Sequence, residues 1–371
     1  MKKILIVDDS ALMRRVLSDI INSDEELHND QYAIDGLEAL EMLESGEKFD
    51  VIILDINMPK MNGIEFLRTL NRKRTLNRKR MNEKVIIVST IAKEGAKETI
   101  EALELGAFDF VTKPDSLAEA KGSKFRNRLI NLIRSACGMP LAAGSSDSKE
   151  AKAGTSTVKI MTQKSDRANH SAKALGTGCS KLIALACSTG GPKALQHVIP
   201  FLPANLDAAV LLVQHMPEGF TASLSKRLDE LSRIQVKEAA DGDILQKGTV
   251  YIAKGGSQMR LHENGKKNYS ISENVEAARN GLKPCADILY ESLVNTSFDE
   301  ITCVIMTGMG ADGTQGILQL EKTNKIYVIA QDAESSTVYG MPKSIAEAGA
   351  VDEVVTLKEI ADAITKHVGV R

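Results

Sequence analysis

Short apolar runs recur along the chain at Ile4–Val7, Val51–Leu54, Val85–Val88 and Phe108–Thr112, and the first is followed by a helix-like pattern over Ala11–Asn22. Runs of four or five apolar residues alternating with amphipathic stretches predict a parallel, doubly wound sheet, because a strand covered on both faces has no polar side to show. The rhythm stops after Cys137. It returns with Leu182–Leu185, Val210–Val213, Cys303–Met306 and Tyr327–Ala330, each followed by a helical pattern. Between Val236 and Ile271, shorter alternating segments with glycine turns predict an antiparallel excursion. The expected fold class is α/β, with two domains that are each a doubly wound, mainly parallel sheet, the second carrying a β insertion.

Between these halves, from Gly138 to Gly178, 22 of 41 residues are Gly, Ala, Ser or Thr and none is aromatic. Such a stretch buries too little apolar surface to offset its ordering entropy. The expected organisation is a first domain over 1–137, a flexible linker over 138–178 and a second domain over 179–371. The length agrees, since single cores stop growing at roughly 250–300 residues. A tandem hexamer, Thr69–Arg74 repeated as Thr75–Arg80, is one duplication rather than a repeat array. It is read as a local insertion lengthening the third helix or its exit loop; a basic docking patch is the other reading.

Charge narrows the partners. Residues 1–137 carry 22 basic and 23 acidic side chains and the remainder 25 and 26, so neither half offers the broad basic face that nucleic acid or anionic lipid requires. Aromatics are 4% with no Trp, which argues against stacking on single-stranded nucleic acid. Five cysteines, odd in number and without a C-x-x-C pair, fit neither a disulfide framework nor a zinc site and read as reduced thiols. The start has only a four-residue apolar run before two aspartates, too short for a signal peptide, and no stretch approaches a membrane span. A cytoplasmic protein with no nucleic-acid partner and no membrane insertion is expected.

In the first domain Asp8 and Asp9 end the first strand, Asp55 ends the third, Ser89 ends the fourth and Lys113 follows the fifth. Carboxyl ends of parallel strands meet at the crevice where doubly wound folds bind ligands. Three carboxylates gathered there repel one another unless a cation joins them. Mg²⁺, a hard ion that takes oxygen ligands and bridges to phosphoryl groups, suits the set, and one carboxylate can then accept a phosphoryl group. An Asp at a strand end is ordinarily a helix cap, but five such groups at the correct ends of four strands are hard to obtain that way. The segments VDDSALMR, ILDINMPKMNGIEFL, IIVST and GAFDFVTKP resemble the receiver domain of bacterial response regulators across residues 1–120. The resemblance implies a flavodoxin-like sheet, Asp55 as phospho-acceptor, and Asp8, Asp9, Asp55 and the Asn57 carbonyl as Mg²⁺ ligands. It also implies Ser89 as switch hydroxyl, Phe110 as switch aromatic, Lys113 as phosphoryl clamp, and a cis Lys113–Pro114 bond. Spacing alone does not separate Ser89 from Thr90; Ser89 is favoured.

In the second domain Ser188 sits on a strand-to-helix turn, where a hydroxyl is exposed at the sheet edge beside free helix N–H groups. The turn keeps S-x-G but has Ala186 where a hydrolase elbow has Gly, and Ser-Thr-Gly-Gly also reads as a phosphate cradle. Among six histidines, His215 is the one that ends a buried strand, and Asp312 lies on a glycine-rich loop just past another. Asp312 alone also reads as a turn residue before Gly. Three strands thus deliver Ser, His and Asp to one edge, as a catalytic triad requires irrespective of chain order.

From Leu182 to Val368 the chain is similar to the catalytic domain of chemotaxis protein-glutamate methylesterases, through ACSTGGPKAL, VQHMPEGFT, VKEAADGD, VYIAKGG, MTGMGADGTQG and AQDAESSTVYGMP. The departures are Ala186 for a usual Gly, and Lys283–Pro284 for a common Arg-Pro. The likeness implies a Rossmann-like domain with Ser188 as nucleophile, His215 as general base and acid, Asp312 as orienter, and Thr189 and Met309 at the oxyanion site. It implies a phosphorylation-regulated hydrolase that demethylates methyl-accepting chemotaxis receptors, with glutaminase activity beside it. A chemotaxis histidine kinase is the implied phosphodonor, and the ester chemistry needs no cofactor. The receiver is expected to cover the triad edge until phosphorylation of Asp55 opens the pair; activation by contact is the other reading. An esterase or deamidase acting on another acyl substrate, and a non-enzymatic phospho-switch, are the competing readings.

Overall fold

The computed structural model describes residues 1–77, 83–90, 93–114, 116, 119, 122–141, 178–265 and 267–371. Its first half runs β1 (Lys2–Val7), α1 (Ala11–Ile21), β2 (Leu27–Ala33), α2 (Gly36–Glu44), β3 (Val51–Asp55), α3 (Gly63–Asn77), β4 (Lys84–Ser89), α4 (Lys93–Glu104), β5 (Asp109–Thr112) and α5 (Ser123–Ala136). The strands form one parallel sheet in the order β2-β1-β3-β4-β5. Local chemistry starts the helices where the strands stop. Ser10 Oγ accepts from the Met13 N–H at 3.4 Å to begin α1, and Asp35 Oδ1 accepts from the Leu37 and Glu38 N–H groups at 3.0 Å each to begin α2. Val16, Leu17, Ile20 and Ile21 form one buried stripe of α1, the spacing that lays a helix on a sheet. Every residue of β3 is buried, so Asp55 is carried into the interior by its strand.

The second half runs β6 (Lys181–Cys187), α6 (Gly191–Leu195), β7 (Ala209–Gln214), α7 (Phe220–Leu231), β8 (Gln235–Glu238), β9 (Thr249–Ile252), β10 (Gln258–Gly265), β11 (Asn268–Asn274), α8 (Ala286–Ser292), β12 (Glu300–Ile305), α9 (Thr314–Leu320), β13 (Ile326–Gln331), α10 (Met341–Glu347), β14 (Glu353–Val355) and α11 (Ile360–Val368). A parallel sheet has the order β14-β13-β12-β6-β7-β9-β8, and β10 and β11 form a separate antiparallel hairpin. From β6 the chain builds outward on the β7 side first and later on the β12 side. The crevice of the fold therefore opens at the carboxyl end of β6.

Two expectations change. The antiparallel excursion over Val236–Ile271 is only half antiparallel: β8 and β9 join the main sheet in parallel, and the hairpin begins at Gln258. Strands of four residues with glycine turns carry the same pattern in either direction, so alternation could not tell them apart. The cis peptide among the described residues is Lys283–Pro284, not Lys113–Pro114. Without it, Lys113 already reaches the carboxylates described below. Most of the linker and the end of the second hexamer, residues 78–80, lie outside the described residues; the first hexamer and the start of the second continue α3.

The two halves pack on each other. The Phe110 ring of β5 lies on the Phe220 ring at the start of α7, centroids 4.6 Å apart and tilted 30°. Glu104 at the end of α4 takes both arms of the Arg227 guanidinium, at 2.6 and 3.1 Å, and accepts from Gln196 at 3.2 Å. Asp109 is buried between the halves, where burial pushes its carboxyl above the usual range against the pull of Arg128 and a hydrogen bond from Thr189. Met309 and Val338 pack against the core of the first half.

Candidate active site and phospho-acceptor site

At the carboxyl edge of the first sheet, ligand atoms of Asp8, Asp9 and Asp55 lie within 4.8 Å of one another. Lys113 Nζ spans Asp8 Oδ2 at 3.1 Å and Asp55 Oδ2 at 2.7 Å. Asp55 Oδ1 accepts from the Ile56 N–H at 2.8 Å, and the Asn57 N–H also points at this carboxylate. Burial raises the Asp55 carboxyl above its ordinary range, only partly countered by Lys113. Burial by itself would lower the Lys113 ammonium, but Asp55 and Asp8 outweigh it and the net shift is upward. Asp8 Oδ2 is buried and, among the described residues, has no hydrogen bond of good geometry, with the Lys113 ammonium 3.1 Å away. A buried orphan oxygen beside two further carboxylates is the donor set a hard divalent cation takes.

Ser89 is buried at the end of β4, accepting from Thr99 Oγ1 at 2.8 Å and donating to the Gly95 carbonyl at 3.3 Å, while Thr90 is exposed. The hydroxyl is thus turned toward α4, the helix that carries Glu104 to the second half. Phe110 is buried under Phe220 rather than free at the surface.

In the second sheet the ends of β6, β7 and β12 are adjacent, and they bring Ser188, His215 and Asp312 to one edge. Asp312 Oδ2 lies 2.7 Å from His215 Nε2, with both side chains largely buried. The carboxylate is held from four directions. Oδ2 also accepts from the Ala286 N–H at 2.6 Å, and Oδ1 accepts from the Asp287 N–H at 3.0 Å and the Cys285 thiol at 3.1 Å. Burial would raise this carboxyl, yet the His215 hydrogen bond and charge and the two N–H groups prevail and hold it well below the usual carboxylate range. Its neighbour Asp287 moves the other way, pushed up to about 6 by burial and by the Asp312 charge although the Gly316 and Gly313 N–H groups oppose this. Of the two adjacent acids, Asp312 is the one that faces the imidazole, while Asp287 accepts from the Gly313 and Gly316 N–H groups.

Ser188 itself is half-buried. Its N–H donates to the Thr307 carbonyl at 3.0 Å, and its own carbonyl accepts from the Gly191 N–H at 2.7 Å and Gln214 Nε2 at 3.0 Å. Among the described residues its hydroxyl makes no hydrogen bond, and the Ser188–His215 bond is not formed; such bonds are often long before substrate arrives. Gly308 is required beside it, since a methyl there would stand 2.9 Å from Ser188 Cβ and 2.3 Å from Met341 Sδ. Thr189 is buried, with its carbonyl accepting from Thr307 Oγ1 at 2.9 Å. A cavity of about 590 Å³ adjoins the site, lined by Met309, Gly310 and Thr337–Gly340 of the second half and by Ser135 and Gly138–Leu141 of the first. Sequence reasoning missed Gln214, Cys285, Asp287 and Thr307; Cys285 and Asp287 lie 27 and 25 residues from Asp312 along the chain, and no spacing pattern joins any of the four to the triad.

The family model for the response regulator receiver domain matches residues 4–121, and that for the CheB methylesterase matches residues 183–364. A Pyrococcus abyssi protein called protein-glutamate methylesterase/protein-glutamine glutaminase is 39% identical over 367 residues, spanning 99% of this chain and 93% of the relative. A Bacillus subtilis protein of the same description is 39% identical over 369 residues, spanning 99% of both. Among solved structures, the Thermotoga maritima CheB methylesterase catalytic domain is 37% identical, covering 51% of this chain and 99% of that one with a TM-score of 0.49. The response regulator domain of Thermotoga maritima CheB is 41% identical, covering 38% and 98% with a TM-score of 0.31. With both matched domains in this order and relatives aligned nearly end to end, the chain belongs to the protein-glutamate methylesterase/protein-glutamine glutaminase family.

Proposed function

We propose that the chain hydrolyses γ-glutamyl methyl esters on methyl-accepting chemotaxis receptors in the cytoplasm, and deamidates receptor glutamines by the same chemistry. The observation that carries the reading is the His215–Asp312 pair at the sheet edge that also presents Ser188. With Nε2 held by Asp312, Nδ1 is the ring nitrogen that takes the Ser188 proton as Oγ bonds to the ester carbonyl carbon. Main-chain N–H groups at Thr189 and Met309 receive the oxyanion, the proton passes to the departing methoxide, and methanol leaves. Water then repeats the attack on the acyl serine with His215 as base, and the free glutamate is released. For glutamine the leaving group is ammonia. Methylated receptors incubated with the chain are expected to release methanol and gain carboxylates; receptors that keep their methyl groups would overturn the reading.

Asp8, Asp9, Asp55 and the Asn57 carbonyl would hold Mg²⁺, which supplies charge neutralisation and a bridge to phosphoryl oxygens. Asp55 accepts the phosphoryl group from a histidine kinase, and Lys113, now spanning Asp8 and Asp55, turns to the new anion. Three contacts support a receiver that restrains the esterase: Asp109 with Thr189, the first core with Met309, and Phe110 with Phe220. The first two involve the residues that flank Ser188 at the oxyanion. Residues 179–371 alone are therefore expected to hydrolyse ester faster than the unphosphorylated whole chain, measured as methanol release per mole of enzyme. A fragment no faster contradicts restraint by the receiver.

A further inference from the structure

We infer that Gln214 is a positioning residue that ties the nucleophile turn to the base turn through one side-chain amide. Gln214 closes β7 directly opposite Cys187 at the end of β6, so its side chain lies between the two loops that leave those strands. Its Nε2 donates to the Ser188 carbonyl at 3.0 Å and to the His215 carbonyl at 3.2 Å, and its Oε1 accepts from the Cys187 thiol at 3.1 Å. Both amide protons and the carbonyl oxygen are used, in a residue that is 2% exposed. Burial has pushed the Cys187 thiol far above its ordinary range, so it stays protonated and remains a donor to Oε1. An amide with every group satisfied by three different partners has one orientation.

Gly191 makes room for this amide. A methyl at that position would stand 2.0 Å from Gln214 Oε1 and 3.0 Å from Cys187 Sγ, and the backbone of Gly191 is not left-handed, so the space rather than the backbone angle requires glycine. The Gly191 N–H also donates to the Ser188 carbonyl, leaving that oxygen with two donors, one from the helix and one from Gln214. Neither Ser188 nor His215 has a side-chain bond to the other in this structure. Their relative placement instead runs through their backbones, by the His215 N–H to the Cys187 carbonyl at 3.2 Å and by the Gln214 amide.

The inference rests on the roles proposed for Ser188 and His215, and the test separates the two. In the full chain acting on methylated receptors, Gln214→Met keeps the length and removes the donors. It is expected to lower kcat by about 10–100-fold, the cost of reacting groups held slightly out of place. KM should stay within about twofold, because substrate contacts are untouched. Gln214→Glu, the same shape with an acceptor facing two carbonyls, gives the same split and is decisive if the Met chain fails to fold. Gly191→Ala displaces the amide without altering it and lowers kcat similarly. Combined with Gln214→Ala it costs less than the sum, since the contested space is then vacant. A folded Gln214→Met chain with wild-type kcat, or strictly additive losses, overturns the positioning role. A Ser188→Ala chain that still releases methanol overturns the underlying reading instead.

Discussion

Ser188→Ala is expected to reduce methanol release from methylated receptors by about 10⁴–10⁶-fold, the range seen when a triad nucleophile is removed and binding alone remains. The geometry makes this a clean substitution. Ser188 Oγ makes no hydrogen bond among the described residues, so alanine strands no partner, while the main-chain bonds to Thr307, Gly191 and Gln214 persist. Thermal stability and phosphorylation of Asp55 should therefore match the wild type while ester turnover disappears. The same chain should fail to react with a fluorophosphonate that labels the wild type. Wild-type methanol release by Ser188→Ala would remove the serine from the mechanism.

Asp312→Asn is expected to lower kcat by about 10⁴-fold, with a loss of stability alongside. An asparagine must turn its NH₂ toward one side. Facing His215 Nε2, it makes that nitrogen an acceptor and puts the proton on Nδ1, where a base for Ser188 is needed. Facing the other way, it sets N–H against the Asp287 N–H and the Cys285 thiol, which now donate to Oδ1. The first orientation also opposes the Ala286 N–H, 2.6 Å from Oδ2. Each orientation leaves a buried donor unmet, costing about 1–3 kcal/mol. The check is kcat together with the denaturation midpoint: a variant that loses stability but keeps kcat would assign Asp312 to the fold alone.

Strand ends were the legible part of this molecule. Val51–Asp55 and Leu182–Ser188 each show an apolar run closed by a reactive group, and that pattern survives without knowledge of tertiary contacts. Contacts between the domains were not legible, because the residues that make them look ordinary. Glu104 and Arg227 are charges on helices, which usually face water, and they find each other only because α4 and α7 pack together. Phe110, expected as a switch aromatic, forms a tilted ring pair with Phe220, a residue that no pattern in the sequence singled out. Gln214 follows a run of apolar strand residues and gave no sign that its amide reaches two neighbouring loops. The direction of β8 and β9 was not legible either, since it depends on the intervening crossover rather than on residues within the strand.

β5 touches both sites. Asp109 and Phe110 at its start meet Thr189 and Phe220, while Lys113 just past its end spans Asp8 and Asp55. Four residues of parallel strand span about 13 Å. Over that length the segment is laddered to β4 from Asp109 to Thr112, and the Lys113 N–H extends the ladder to the Ser89 carbonyl at 2.7 Å. A segment laddered in this way holds its ends in a fixed relation, so Lys113 and the face that meets Thr189 and Phe220 are parts of one stiff element. The carboxylate cluster of the first half and its packing face on the second are thus mounted at opposite ends of one short beam.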